Sequence, residues 1–178
     1  FALLSGGGRR RRRRTLEATL DWSYDLLDPE EQRAFRALGV FVDGFDLEAV
    51  ATVASVTRVG ATDVVEALVA KSLVVRADLG GTLRFRLLES MKAYAEQRLG
   101  EAGELERVRR LHFEHFHRIA SVHGLAPQAE LRLGFRLRHD MSNVTSAFEL
   151  ATDGGNWDGA TELLSGALGA YEYFGRTL

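Results

Sequence analysis

Apolar residues recur at helical spacing along most of this chain, and the period changes once. Residues 15–27 place four apolar side chains on one face at three- and four-residue intervals, namely Leu16, Leu20, Tyr24 and Leu27. That spacing predicts an amphipathic helix. A second helix is predicted to follow at once, running through Phe35 and Leu38, because no spare residues remain for a flexible loop.

Capping residues mark where the next helices begin. Asp28 suits an N-cap, Pro29 suits the first helical position, and Glu31 stands where a capping box places its acid. Asp46 is predicted to cap a third helix with the sequence LEAVATVA, and Thr62 a fourth with the sequence DVVEALVAKS.

The period then changes to that of strands. Residues 73–77 and 82–88 are joined by the turn sequence Asp78-Leu-Gly-Gly, which indicates a β-hairpin. In the second strand three apolar residues alternate with Arg84 and Arg86, so we predict one buried face and one solvent face. A further helix is expected from Glu89 to near Gly100 or Gly103. Packed helices followed by a hairpin and another helix predict a winged-helix arrangement.

The rest of the chain is predicted to be purely helical. Helices are expected over Glu104–Val122, 129–152 and 157–174, with Asp153-Gly-Gly-Asn as a turn. Three helices joined by short turns are typical of the start of a helical-repeat array. The fold class is therefore mainly α: a winged-helix domain with a short hairpin, followed by an α-helical array.

Charge is distributed unevenly. The net charge is −2, but six of the basic residues form the unbroken run Arg9–Arg14. Without that run the chain has 17 basic and 25 acidic residues, a net charge of −8. Such an acidic body is poorly suited to bind a phosphate backbone. The run itself is predicted to be a solvated linker, with nonspecific nucleic-acid binding as the alternative.

Several features describe the cellular setting. The chain opens on Phe-Ala-Leu-Leu-Ser-Gly-Gly-Gly without an initiator methionine and ends abruptly after an apolar helix, which indicates a segment of a longer polypeptide. It has no cysteines, so it has no disulfides or thiolate sites. No signal peptide or membrane-spanning run is apparent in the sequence. We therefore expect a cytoplasmic protein without a membrane partner.

No constellation of catalytic residues stands out. The glycines before the arginine run lack the lysine of a phosphate-binding loop, because no lysine appears before Lys71. His112, His115 and His117 are predicted to be ordinary positions on a long helix, since only the first two share a face and no third ligand converges. We expect neither an enzyme nor a metal site. The alternative is a metal-dependent enzyme that uses these histidines.

Direct DNA binding is disfavoured by the helix before the hairpin. In DNA-binding winged helices this helix enters the major groove, yet here it carries Asp63 and Glu66, with Lys71 only at its end. The alternative hypothesis is DNA binding through the hairpin arginines, Arg76, Arg84 and Arg86.

Two aromatic residues of the first helix admit two interpretations. Trp22 and Tyr24 are predicted to pack the first helix against its neighbours, as aromatic side chains commonly do. The alternative is that they form the seat of an adjoining domain.

Three separated blocks resemble a known family. RTLEATLDWSYDLLDPEEQRAFRALGVFVDGFDLEAV, VVEALVAKSLVV and FRLLESMKAYAEQRL are similar to the winged-helix region of bacterial STAND ATPases, the NB-ARC-type regulators of actinobacteria. These regulators carry LuxR-type or SARP-type DNA-binding domains, or adenylyl cyclase domains. FALLSGGG is similar to the end of their ATPase module, and residues 104–178 resemble the start of their TPR-like region.

The resemblance implies a division into residues 1–14 (end of the ATPase module and linker), 15–103 (winged helix) and 104–178 (TPR-like region). It implies that an intact parent protein binds ATP or ADP, while this segment holds no cofactor. The implied partners are the adjoining ATPase domain and a protein or small-molecule effector on the helical array. DNA would be bound by another domain.

The family's phosphate-contacting motif is absent. Eukaryotic NB-ARC proteins carry a Met-His-Asp motif after the hairpin, and the matching place here is Phe85-Arg86-Leu87. The resemblance thus leaves Arg86 as the candidate phosphate contact in the intact parent.

Overall fold

The computed structural model describes residues 15, 17–79, 82–121, 137 and 139–175. Some sequence predictions fall outside the described residues: the Arg9–Arg14 run, the Gly80-Gly81 part of the hairpin turn, and positions 129–136 of a predicted helix. The other predicted elements can be compared directly.

Helices dominate the described residues, and a single hairpin interrupts them. In chain order the elements are α1 (17–25), α2 (Pro29–Leu38), α3 (Leu47–Val53), α4 (Arg58–Ala70), β1 (Val74–Leu79), β2 (Thr82–Leu87), α5 (Glu89–Glu101), α6 (Leu105–Ala120), α7 (Met141–Asp153) and α8 (Trp157–Gly175). Of the described helices, none is both long and apolar enough to cross a membrane.

The predicted capping box at the start of α2 is confirmed. The Asp28 carboxylate accepts hydrogen bonds from the backbone N–H groups of Glu30 and Glu31, at 2.8 and 2.9 Å. The Glu31 carboxylate in turn accepts the N–H of Asp28 at 2.9 Å. Asp46 likewise caps α3 through the N–H of Ala49. These local signals fix where α2 and α3 begin.

The predicted cap of α4 is wrong. The helix begins at Arg58, and its N-cap is Thr57, whose hydroxyl accepts the N–H of Gly60 at 3.0 Å. Thr62 lies inside the helix and donates its hydroxyl to the Arg58 carbonyl. Both threonines suit a cap by type, and Gly60 is tolerated in the first turn, so composition did not separate the two positions.

A third strand position completes the sheet. Phe45 pairs with Phe85 of β2 through two backbone hydrogen bonds, 2.8 Å from the Phe45 N–H and 2.9 Å from the Phe85 N–H. The order is therefore α2, a bridging strand residue, α3, α4, β1 and β2, with β1 and β2 antiparallel. This is the winged-helix arrangement that the sequence predicted.

The predicted alternation along β2 holds at Phe85 and Arg86 but is wrong at Leu83 and Arg84. Leu83 is 55% exposed, whereas Arg84 is only 2% exposed and Phe85 only 3%. Both faces of the strand are covered at its centre, because the core lies on the Phe85 side and a later part of the chain lies on the Arg84 side. Leu83 stands nearer the tip of the hairpin and extends beyond that cover.

Trp22 and Tyr24 have different environments. Tyr24 is buried, and its ring lies 6.0 Å from that of Phe35 and 5.9 Å from that of Tyr94. The packing hypothesis is confirmed for Tyr24, which holds α1 against α2 and α5. It is wrong for Trp22, which is 67% exposed because it lies on the outer side of α1.

One apolar core runs from the winged helix into the later helices. Phe41 stacks against Phe45 at 4.8 Å and meets the His112 ring of α6 at 5.4 Å, and Phe116 continues this cluster. α6 packs on α3, and both α7 and α8 pack on α6. At Gly166 of α8, an added Cβ would lie 2.5 Å from the Ala120 carbonyl oxygen, so these helices nearly touch. α6 is thus the connection between the two parts of the structure.

Gly39→Ala is expected to destabilise the fold by about 1–3 kcal/mol, because overpacking forces backbone shifts. Gly39 has right-handed helical angles that alanine adopts freely, yet an added Cβ would lie 2.8 Å from the backbone N of Glu96. Urea unfolding measures the change. The matched control is Gly100→Ala in α5, where an added Cβ meets nothing within 4 Å.

Gly100→Ala should leave stability unchanged or raise it by up to about 1 kcal/mol, since alanine favours helix. Equal effects of the two substitutions would contradict the close approach of α2 and α5.

Candidate functional site

The outer face of α4 carries two exposed carboxylates and one exposed arginine, Arg58 at the helix start. Asp63 and Glu66 are exposed. Val59, in the first turn of α4, is also 73% exposed. Lys71, which follows the helix, lies with its ammonium 2.6 Å from the Glu31 carboxylate. This surface offers carboxylates to solvent, and its nearest lysine is already paired, so it is unfavourable for a phosphate backbone.

The three hairpin arginines do not form one surface. Arg76 and Arg86 are exposed, but they lie on opposite faces of the hairpin, because Arg76 pairs with Phe85 and strand neighbours alternate. Arg84 shares the face of Arg86 but is buried. Of the three arginines predicted to contact DNA, only Arg76 and Arg86 are exposed. The prediction that Arg84 faces solvent is wrong.

Arg84 is enclosed by a carboxylate and a backbone carbonyl. Both terminal nitrogens of its guanidinium donate to Asp140, which stands directly before α7; the Nη1 to Oδ2 distance is 3.3 Å, and Nη2 lies on Oδ1. Nη2 also donates to the Gly44 carbonyl at 2.8 Å. Asp140 is 3% exposed, so this is a buried, two-pronged ion pair. Among the described residues, Nε of Arg84 finds no partner.

Asn143 completes the same group from the first turn of α7. Its side-chain oxygen accepts the N–H of Val42 at 3.0 Å, and its amide nitrogen donates to the Gly44 carbonyl at 3.0 Å. The loop over residues 42–44 is thus held by one side chain of the hairpin and one of α7. We call this group, formed by Arg84, Asp140, Asn143 and the backbone of residues 42–44, the junction.

The three histidines of α6 do not converge. His112 is buried beside Phe41, His115 lies 3.2 Å from the Thr52 hydroxyl, and His117 lies 2.6 Å from the Glu162 carboxylate. Within the described part of the chain, no group of three or more metal-binding side chains is present. The histidines instead join α6 to three different neighbours.

His112 belongs to the polar surroundings of the junction. Burial lowers its pKa to about 4, because desolvation disfavours the imidazolium; a hydrogen bond with Asn143 opposes this shift, and the charge of His115 adds to it. The ring is therefore neutral at physiological pH.

Arg86, the candidate phosphate contact, lines a cleft of about 170 Å³ to which Val42 and Asp43 also contribute. Lys92 lines the same cleft, and so do the acidic residues Asp43 and Glu89. The two carboxylates therefore offset the two cations, so the cleft does not present the purely positive charge that would favour an anion.

Sequence reasoning missed the Arg84–Asp140 pair. The two residues lie 56 positions apart, and each has an ordinary local explanation, Arg84 as a solvent-facing strand residue and Asp140 as a position inside the predicted helix over 129–152. That prediction is wrong at Asp140, because residues 139–140 form a turn and the helix begins at Met141. The local sequence shows only that Arg84 lies beside Phe85 at the centre of a short strand, and this does not reveal that Arg84 is buried.

These observations define a winged-helix domain that is fastened to a helical extension. Residues 27–100 match the family described as "Winged helix-turn-helix domain". The chain is 39% identical over 171 residues to putative HTH-type transcriptional regulators of Mycobacterium bovis and Mycobacterium tuberculosis, an overlap of 93% of this chain and 19% of each regulator.

An uncharacterised protein of Mycobacterium tuberculosis is 35% identical over 105 residues, covering 53% of this chain and 25% of that protein. The chain spans about a fifth of the length of the regulators it matches. No solved structure matches it.

Acid is expected to destabilise the fold through His112. The stabilisation from its neutral ring is complete above pH 6.5, where an unfolded histidine is also neutral, and is lost as the pH falls from 6.5 to about 4. The loss should reach about 3 kcal/mol. Urea unfolding at several pH values measures it.

His112→Gln should remove this part of the pH dependence, whereas His117→Gln, on the half-buried side of the same helix, should retain it. A His112→Gln variant that loses as much stability in acid as the parent chain would contradict the assignment.

Proposed function

We propose that this chain is a non-catalytic regulatory module of a larger transcriptional regulator. In this proposal the winged helix works as a protein-packing unit, and the helical extension transmits its position to or from a partner. The printed name of the mycobacterial relatives, HTH-type transcriptional regulator, supports a role in transcription. The small share of those relatives that the chain spans supports a module of a larger protein.

The observation that carries the proposal is the burial of Arg84. A wing that contacts DNA presents its cationic side chains to phosphates. Here the central arginine of the hairpin, Arg84, forms an ion pair with Asp140 of the same chain instead. Asp63 and Glu66 of α4 support the same conclusion, since two carboxylates in a major groove would face phosphates at both walls.

The finer part of the proposal concerns nucleotide coupling. By its resemblance to STAND ATPases, the module would pack on an ATPase domain that binds ATP or ADP, in the cytoplasm. The helical extension would be the start of a TPR-like array that receives a protein or small-molecule effector. Arg86 would face the nucleotide phosphates in that assembly, and another domain would bind DNA. The exposure of Arg86 supports this assignment, while Asp43 and Glu89 in the same cleft count against it.

The second candidate function is direct DNA binding by the winged helix. Arg76 and Arg86 are both exposed and neither has a carboxylate partner among the ion pairs of the described residues. Two arginines on opposite faces of a wing can each reach a phosphate on one strand, which gives weak, salt-dependent binding.

Fluorescence anisotropy with labelled random-sequence duplex DNA distinguishes the two functions. We expect no binding at about 0.15 M salt by a variant that lacks residues 1–14, because the remaining body is acidic. Deleting residues 1–14 removes the arginine run, whose nonspecific binding would otherwise obscure the result.

Binding that persists without residues 1–14 would contradict the proposal if Arg76→Ala with Arg86→Ala weakens it. The salt slope should then fall by roughly two, one for each lost phosphate contact. The matched control is Arg109→Ala with Arg110→Ala, two exposed arginines of α6 that lie away from the hairpin.

A further inference from the structure

The contact between α7 and the hairpin is polar. Asp140 and Asn143 provide it, through Arg84 and the backbone of residues 42–44, and both side chains are almost fully buried. Apolar packing lies elsewhere: α7 and α8 rest on α6, where Val144, Ala147 and Leu163 enter the common core. α7 is therefore joined to α6 by apolar contacts and to the hairpin by hydrogen bonds and an ion pair.

A cleft separates α7 from α5 beside the junction. Its volume is about 230 Å³, and its walls carry Lys92 and Glu96 from α5, Arg109 from α6, and Glu149 and Asp153 from α7, among several apolar side chains. Charged walls of this kind are compatible with water. Along this side a cleft lies between α7 and the winged helix, and the junction ties the two together directly.

The chemistry of the junction determines what opening it would cost. Burying an ion pair removes both charges from water, which costs free energy. Each ion regains its hydration when water enters. An apolar contact of the same size would instead expose hydrophobic surface on opening. A polar junction can therefore separate into two well-solvated surfaces, whereas the apolar contacts with α6 resist separation.

We propose that the Arg84–Asp140 pair is a latch that holds α7 and α8 against the hairpin, and that its release is the conformational change of this module. In the closed state the pair is buried, as described above. In the open state α7 turns away from the hairpin while its contacts with α6 persist, and the cleft beside α5 widens.

Release also changes the surface of the hairpin. Arg84 and Arg86 are two positions apart on β2 and share a face, so opening places two guanidinium groups side by side in solvent. The latch thereby couples the position of the helical extension to the charge that the hairpin presents. This inference does not depend on which partner the module binds.

The distance between the hairpin and α7 reports the state of the latch. The chain has no cysteines, so Thr82→Cys on the hairpin and Thr145→Cys on α7, both exposed, take spin labels at unique positions. Pulsed dipolar spectroscopy should give one short distance for the parent chain. With Asp140→Asn, which leaves Arg84 without its countercharge, a longer distance should appear, and its fraction should rise at least about tenfold.

Two further variants separate a latch from an ordinary stabilising contact. Arg84→Met with Asp140→Leu removes both charges, so opening would expose apolar surface and the short distance should persist. Glu48→Gln breaks an exposed ion pair between Arg118 of α6 and α3, and should also leave the short distance unchanged.

Hydrogen exchange on the Asp140→Asn variant checks that the winged helix stays folded. Amides of α2 and α5 should keep their protection while the backbone around residues 42–44 exchanges faster. An Asp140→Asn variant that keeps only the short distance would overturn the proposal. So would loss of protection throughout α2 and α5, or a neutral pair that opens as far as Asp140→Asn does.

Discussion

A buried guanidinium at the centre of the hairpin is the constraint on which the arrangement of this chain depends. Burial of the charged guanidinium of Arg84 requires a countercharge and hydrogen-bond acceptors in a fixed geometry. Asp140 supplies the charge and Gly44 a carbonyl. Meeting that requirement orders the loop before α3 and places the start of α7 beside the hairpin.

α6 extends the core of the winged helix into the helices that follow. Phe41 and Phe45 belong to the winged helix, yet the rings they meet, those of His112 and Phe116, come from α6. A neutral histidine suits this place, because burial disfavours a charged ring and Nε2 of His112 has no hydrogen-bond partner among the described residues. The winged helix and the extension therefore form a connected structure in which one side is apolar and the other, at the junction, is polar.

The same fold serves different tasks according to its surface. Here the helix that reads DNA in other winged helices presents Asp63 and Glu66, and the hairpin directs one of its arginines inward. Function is therefore argued from these side chains and not from the fold. They are the basis of the proposal that the module acts through contacts with protein.

The sequence by itself determined the elements whose signals are local. Asp28 and Asp46 cap helices because an acceptor at that position binds N–H groups two or three residues ahead, and such contacts need no distant partner. The exposure of Trp22 and the burial of Arg84 were decided by tertiary structure alone. Whether a strand face or a helix side is covered depends on chain segments far away, as Asp140 is from Arg84, and periodicity within one element carries no information about them.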